Sequence, residues 1–104
     1  MTTADPILQQ FRAALTELYG DRIERVVLFG SRARGDAKAD SDYDVALFLK
    51  GATDTWEERD RIFDLEESIR DATGADIRTL PLAAESWAKR TPLMYEIRKD
   101  GLDL

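Results

Sequence analysis

Residues 23–49 read IERVVLFGSRARGDAKADSDYDVALFL, two apolar runs separated by a polar loop, and the reading of the fold starts there. Val26, Val27, Leu28 and Phe29 form a short β-rich run that stops at Gly30, the pattern of a buried strand over Ile23–Phe29. From Ser31 to Ser41 the chain is polar and rich in Arg, Gly, Asp and Lys, which predicts a loop with room for one helical turn at its start. Asp42 to Leu49 alternates acidic and apolar residues before becoming wholly apolar in VALFL. That pattern predicts a second strand that begins at an open edge and runs into the core.

Outward from this pair, the flanks alternate helix and strand. Asp5-Pro6 reads as an N-cap followed by proline at the first helical position, and Ile7, Leu8, Phe11, Leu15 and Leu18 repeat at helical spacing up to Tyr19. Thr53, Asp54 or Thr55 can cap a long helix carrying Trp56, Ile62, Phe63, Leu65, Glu66 and Ile69 and ending near Thr73-Gly74. Asp76 to Leu80 reads as a third strand stopped by Pro81, Ala83 to Arg90 as a helical segment, and Pro92 as the start of a last helix through Lys99. This order excludes an all-α or all-β fold and predicts an α/β chain, a small mixed sheet backed by helices. With 104 residues and no repeat or linker, residues 1–104 are expected to form one domain with one site.

Composition narrows the chemistry. The chain has no cysteine and no histidine, so thiolate and imidazole are excluded as ligands, nucleophiles or bases. Carboxylates, hydroxyls, Lys and Arg remain, and hard oxygen ligands suit magnesium or manganese. A formal net charge of −6 disfavours direct binding of nucleic acid, whose backbone is gripped mainly by Lys and Arg, and suits a basic partner protein. No apolar run is long enough to cross a bilayer and MTTADPILQQ does not resemble a secretion signal, so no membrane association and a cytoplasmic location are expected.

Two features converge on a site. Asp42 and Asp44 stand two apart at a strand start, so both leave the same face while Tyr43 points to the other. Neighbouring carboxylates repel, and a divalent cation between them resolves the repulsion. Asp76 opens the next predicted strand and can join the pair if the strands are adjacent, in which case three carboxylates would make a two-metal site. Gly30-Ser31 follows a buried strand directly, where glycine permits close backbone approach and serine offers a hydroxyl and an amide to a phosphate. Taken alone, Asp-x-Asp also reads as a solvated turn and Gly-Ser as an ordinary strand ending. Together they bring a phosphate-sized turn and a metal-sized carboxylate pair to the mouths of successive strands. Arg32 and Arg34 can reach phosphate oxygens from the loop or face water, and Asp36 suits a loop-fixing bond to backbone or an arginine. Trp56, Phe63 and Trp87 fit core or partner-facing positions.

The stretch GSRARGDAKADSDYDVALFL, with ten residues between Gly-Ser and Asp-x-Asp, resembles the signature of the DNA polymerase beta-type nucleotidyltransferase superfamily. Its short length and GSRARGDA wording are similar to the minimal nucleotidyltransferases, the MNT or MntA-like antitoxins encoded beside HEPN-domain toxins. The likeness continues through GADIRTLPL and PLMYEIRKDGLDL and is least specific in the N-terminal helix. It implies a palm-like sheet in which Gly30 and Ser31 hold the triphosphate of ATP. Asp42 and Asp44 would bind magnesium, and Asp76 would join the metals and orient or deprotonate the attacking hydroxyl. It implies an antitoxin that transfers AMP to a hydroxyl, a tyrosine's, of a HEPN-type RNase partner. A binding module that neutralises its toxin by covering it is the second reading, with Leu93, Met94, Tyr95 and Ile97 of the last helix as a partner surface or a plain core helix. A small-molecule nucleotidyltransferase, similar to the aminoglycoside-modifying relatives, is the third.

Overall fold

A computed structural model describes residues 5–51 and 56–104. Helix α1 spans Pro6–Tyr19, with the Asp5 carboxylate accepting the Ile7 amide at 2.8 Å as its cap. After a 3₁₀ turn at Gly20–Arg22 come β1 (Ile23–Phe29), the one-turn helix α2 (Ser31–Arg34), β2 (Tyr43–Leu49), α3 (Trp56–Thr73) and β3 (Ile77–Ala83). A second 3₁₀ stretch, Ala84–Ala88, leads to α4 (Pro92–Asp100) and the two-residue strand β4 (Leu102–Asp103). The caps expected at 53–55 lie outside the described residues.

The sheet is mixed, in the order β3-β2-β1-β4. Strands β1 and β2 are antiparallel, β2 and β3 parallel, and β1 and β4 antiparallel. Both faces are covered, which is why β2 reads as an almost unbroken apolar run. On one face, Tyr43, Val45, Leu47 and Leu49 of β2 pack with Leu8, Phe11 and Leu15 of α1 and Ile62 and Ile69 of α3. On the other, Ala46, Phe48 and Val27 pack with Met94 and Ile97 of α4. Tyr43 thus points away from its acidic neighbours, as expected. The last helix is core on one side, with Met94 and Ile97 buried, and open on the other, with Leu93 and Tyr95 exposed. Trp87 packs edge-on against Phe48 and under the Arg25 guanidinium, while Trp56 and Phe63 are exposed.

Three expectations are corrected. Asp42 and Asp76 each stand one residue ahead of their strands rather than in them. Pro81 does not stop β3; the strand runs on to Ala83, so the expected helical segment shrinks to the 3₁₀ stretch. The reason is the edge position of β3. Tyr43 donates to the Asp76 carbonyl at 2.9 Å, a pattern that turns the backbone of Arg78, Leu80 and Leu82 toward β2 and that of Thr79 and Pro81 outward. The outward Thr79 amide donates to Glu66 Oε2 at 2.7 Å, and Pro81 has no amide to place. Strand β4 carries too little pattern to be read from sequence.

Candidate active site

The site is built where β1 ends and β2 begins. Gly30 has φ +78° and ψ −160°, a conformation that turns the chain sharply out of β1 into α2. Its carbonyl accepts the amides of Ala33 and Arg34, both at 3.1 Å, and Gly35 ends the turn in the left-handed region at φ +84°. Phe29 pairs with Asp44 across the ladder, so the turn lies directly beside that carboxylate. A β-carbon on Gly30 would stand 2.5 Å from Asp44 Oδ2. The absence of a side chain at Gly30 is therefore what lets the Asp44 carboxylate lie against the turn.

Burial raises the pKa of Asp44; the nearby Arg78 opposes this, the Asp42 charge reinforces it, and Arg34 opposes it from the loop. Two hard oxygen donors two residues apart on one strand face fit magnesium or manganese. Asp42 contacts Arg78 Nη1 at 3.5 Å. The backbone of Asp76 lies beside this pair, since its carbonyl takes the Tyr43 amide, but its carboxylate is held by Arg70 of α3 through Nε at 2.6 Å and through Nη2. Among the described residues, no three carboxylates stand close enough together to hold a metal ion. A groove of about 370 Å³ runs along this side, lined by Asp42, Asp76, Arg70, Arg78, Glu66 and Phe63 among others.

The two loop arginines divide differently from the reading by motif. Arg32 turns inward: Nε donates to the Ser41 carbonyl at 3.0 Å, and Nη2 to those of Ser41 at 2.8 Å and Ala39 at 3.2 Å. Its guanidinium also stacks 4.1 Å from the Tyr43 ring centre, and Tyr43 donates its hydroxyl to Asp5 Oδ2 at 2.9 Å. Arg32 thus clasps the loop that delivers Asp42. Arg34 turns outward instead, paired with Asp36 at 3.3 Å and Asp100 at 3.8 Å. Asp36 does fix the loop through an arginine. Ser31 is half-buried at the start of α2, next to Gly30.

Sequence reasoning missed Arg70 and Arg78. The signal for Arg78 was present: it stands two residues beyond Asp76, so strand alternation puts both on one face, and it pairs in register with Asp44. Arg70 had none, because its contact depends on how the end of α3 meets the start of β3.

Likeness to known proteins bears on this arrangement. The family model described as "Polymerase beta, Nucleotidyltransferase" matches residues 14–103. A protein of Methanocaldococcus jannaschii described as "Putative protein adenylyltransferase" is 30% identical over 98 residues, 94% of this chain and 95% of its own. Among solved structures, a toxin-antitoxin crystal structure with AMP-PNP superposes with a TM-score of 0.65 at 19% identity, covering 91% of this chain and 70% of the other. A tri-AMPylated HEPN toxin from Shewanella oneidensis in complex with its MNT antitoxin gives a TM-score of 0.54 at 19% identity over 91% and 69%. The structural likenesses speak for the fold. The family model, which spans the glycine turn, the carboxylate pair and every strand, carries the assignment: the chain belongs to the polymerase beta nucleotidyltransferase family.

Proposed function

We propose that this nucleotidyltransferase transfers AMP from ATP to a hydroxyl, a tyrosine's, on a HEPN-type RNase toxin and so acts as its antitoxin. The observation that carries the reading is the fit between Gly30 and Asp44, where a side chain on the turn would strike the carboxylate. The turn that ends β1 and the carboxylate pair that opens β2 are thus immediate neighbours. In this reading Gly30 and Ser31 cradle the triphosphate with the first amides of α2, Arg34 adds positive charge from the loop, and Arg32 serves nucleotide binding by holding the Asp42 loop. Asp42 and Asp44 would hold magnesium, or manganese in its place. The bound metal would neutralise the triphosphate and offset the charge that develops on the departing pyrophosphate. Asp76 orients the attacking hydroxyl or accepts its proton, which requires its carboxylate to leave Arg70.

In-line attack needs the acceptor and the leaving group on opposite sides of the phosphorus. Gly30 borders Asp44 from the β1 side and the groove borders Asp42 from the β3 side, so pyrophosphate leaves toward α2 and the acceptor enters by the groove. AMP on a toxin adds bulk and negative charge where RNA phosphates must bind, which would block cleavage.

The test is intact-mass analysis of the neighbouring gene's product after incubation with this protein, ATP and magnesium. The expected result is a gain of one or more AMP units that disappears when Asp42 and Asp44 are both changed to Ala. No gain, with a stable complex that forms equally well with the double variant, would replace catalysis by sequestration.

A further inference from the structure

We propose that Arg78 is a movable counter-charge of the carboxylate pair: it neutralises Asp42 while no metal is bound and turns to the phosphates of the nucleotide once a metal takes its place. The inference rests on the reading of Asp42 and Asp44 as the metal and nucleotide site and assigns that site a further substrate-binding residue.

Register supplies the placement. Arg78 pairs with Asp44 across the parallel ladder of β2 and β3, so the two side chains leave the same face of the sheet as immediate neighbours. Gly30 and α2 border Asp44 from the β1 side, and Arg78 borders it from the β3 side. A phosphate held at the turn and the carboxylates is therefore within reach of an extended arginine, whose planar fork matches phosphate oxygens.

The contact Arg78 makes suits exchange. Its Nη1 stands 3.5 Å from Asp42 Oδ2, at the outer limit of a hydrogen bond, and its side chain is 73% exposed. An exposed pair of that kind is weak and gives way to a stronger partner. The other arginine of this edge is occupied, since Arg70 grips Asp76 through two nitrogens. When a divalent ion settles on Asp42 it removes the anion that Arg78 pairs with and repels the guanidinium. The triphosphate then brings the next negative charge to that face.

Competition and contact act in opposite directions, and this separates the proposal from a plain structural role. Removing Arg78 removes a competitor for the metal and a ligand for the nucleotide. Arg78→Gln is expected to raise Mn²⁺ affinity in the absence of nucleotide by roughly 3- to 10-fold, and to lower AMP-PNP affinity at saturating Mg²⁺ by roughly 5- to 20-fold. Arg78→Lys, which keeps the charge and loses the fork, should stay near wild type for Mn²⁺ and still bind AMP-PNP more weakly.

The experiment titrates wild type and these variants with Mn²⁺, followed by the spectrum of the free ion, and then with AMP-PNP by calorimetry. Arg90→Gln is the control for loss of a surface charge, because Arg90 lines a separate depression with Tyr95 and Glu96. Asp44→Asn is the control for the site. Opposite shifts in Arg78→Gln, absent from Arg90→Gln, are the expected result. Shifts of the same sign, no shift, or equal shifts in Arg90→Gln would overturn the role of Arg78 and leave the carboxylate site standing. Mn²⁺ binding that survives Asp44→Asn would overturn the site reading itself, and this inference with it.

Discussion

At the scale of single residues, Gly30 decides the most. Its positive φ is costly for any side chain, and the space a β-carbon would fill belongs to Asp44 Oδ2. Gly30→Ala is therefore expected to lower stability by about 1–3 kcal/mol from backbone strain and to displace the carboxylate from the turn. Displacement by about an ångström costs roughly 100-fold in rate, so AMP transfer measured by intact mass should fall by about that factor while far-ultraviolet circular dichroism stays native. Wild-type transfer by this variant would sink the role given to this close approach. The placement of Gly30, Ser31, Asp42 and Asp44 at the strand ends was legible in the sequence because a strand end and a two-residue alternation are local patterns. The partners of the arginines were not. Arg32 and Arg34 look alike in GSRARG, yet one is folded under the loop against Tyr43 and the other pairs with Asp36 and Asp100, a difference set by the 3.6-residue turn of α2 and by contacts with distant Ser41 and Asp100.

At the scale of elements, α3 does more than cover the sheet. Glu58 in its first turn is buried at 5% exposure and bonds Arg22 Nη1, just before β1, at 2.6 Å. Burial alone would raise its pKa, but Arg22 and the Tyr19 hydroxyl outweigh burial and hold the carboxyl below its usual 4.5. A depressed carboxyl contributes stability above its unfolded value, and that contribution is lost as pH falls through the lower folded value. Glu58→Gln should thus lower stability at pH 7 by about 1–2 kcal/mol, roughly 4–16 °C in Tm, with the gap from wild type closing as pH falls below the usual 4.5. A gap that is constant across pH would show that packing rather than charge makes the contact. The helical period of α3 was readable from Ile62 and Ile69, but the pairing of Glu58 with Arg22 joins residues 36 apart and has no sequence pattern. Likewise β3 was cut short at Pro81 because proline reads as a breaker until the strand is known to lie at an edge.

At the scale of the whole molecule, the sheet divides the labour between its faces. The α1 and α3 face is mainly apolar around Val45, Leu47 and Leu49, whereas the α4 face combines the Phe48 cluster with the Asp42 and Asp44 pair at its end. Phe48 is fully buried on that second face and meets Trp87 edge-on at 5.5 Å between centroids. Phe48→Ala should cost about 3–5 kcal/mol, a large part of the roughly 5–15 kcal/mol that keeps a domain folded, and be seen as a fall in the denaturant midpoint. A loss under 1 kcal/mol would mean that α4 collapses onto the gap. The alternation of helix and strand made the mixed sheet readable in outline; its strand order was not, because parallel pairing of β2 with β3 depends on where α3 carries the chain. The outer rim of β3 has a consequence for how the protein meets others. With the Thr79 amide already given to Glu66 and Pro81 offering none, that border presents no consecutive donors for an incoming strand. It is closed to the edge-to-edge pairing that seeds fibrils, and a partner arriving at the groove must be recognised through side chains rather than by extending the sheet.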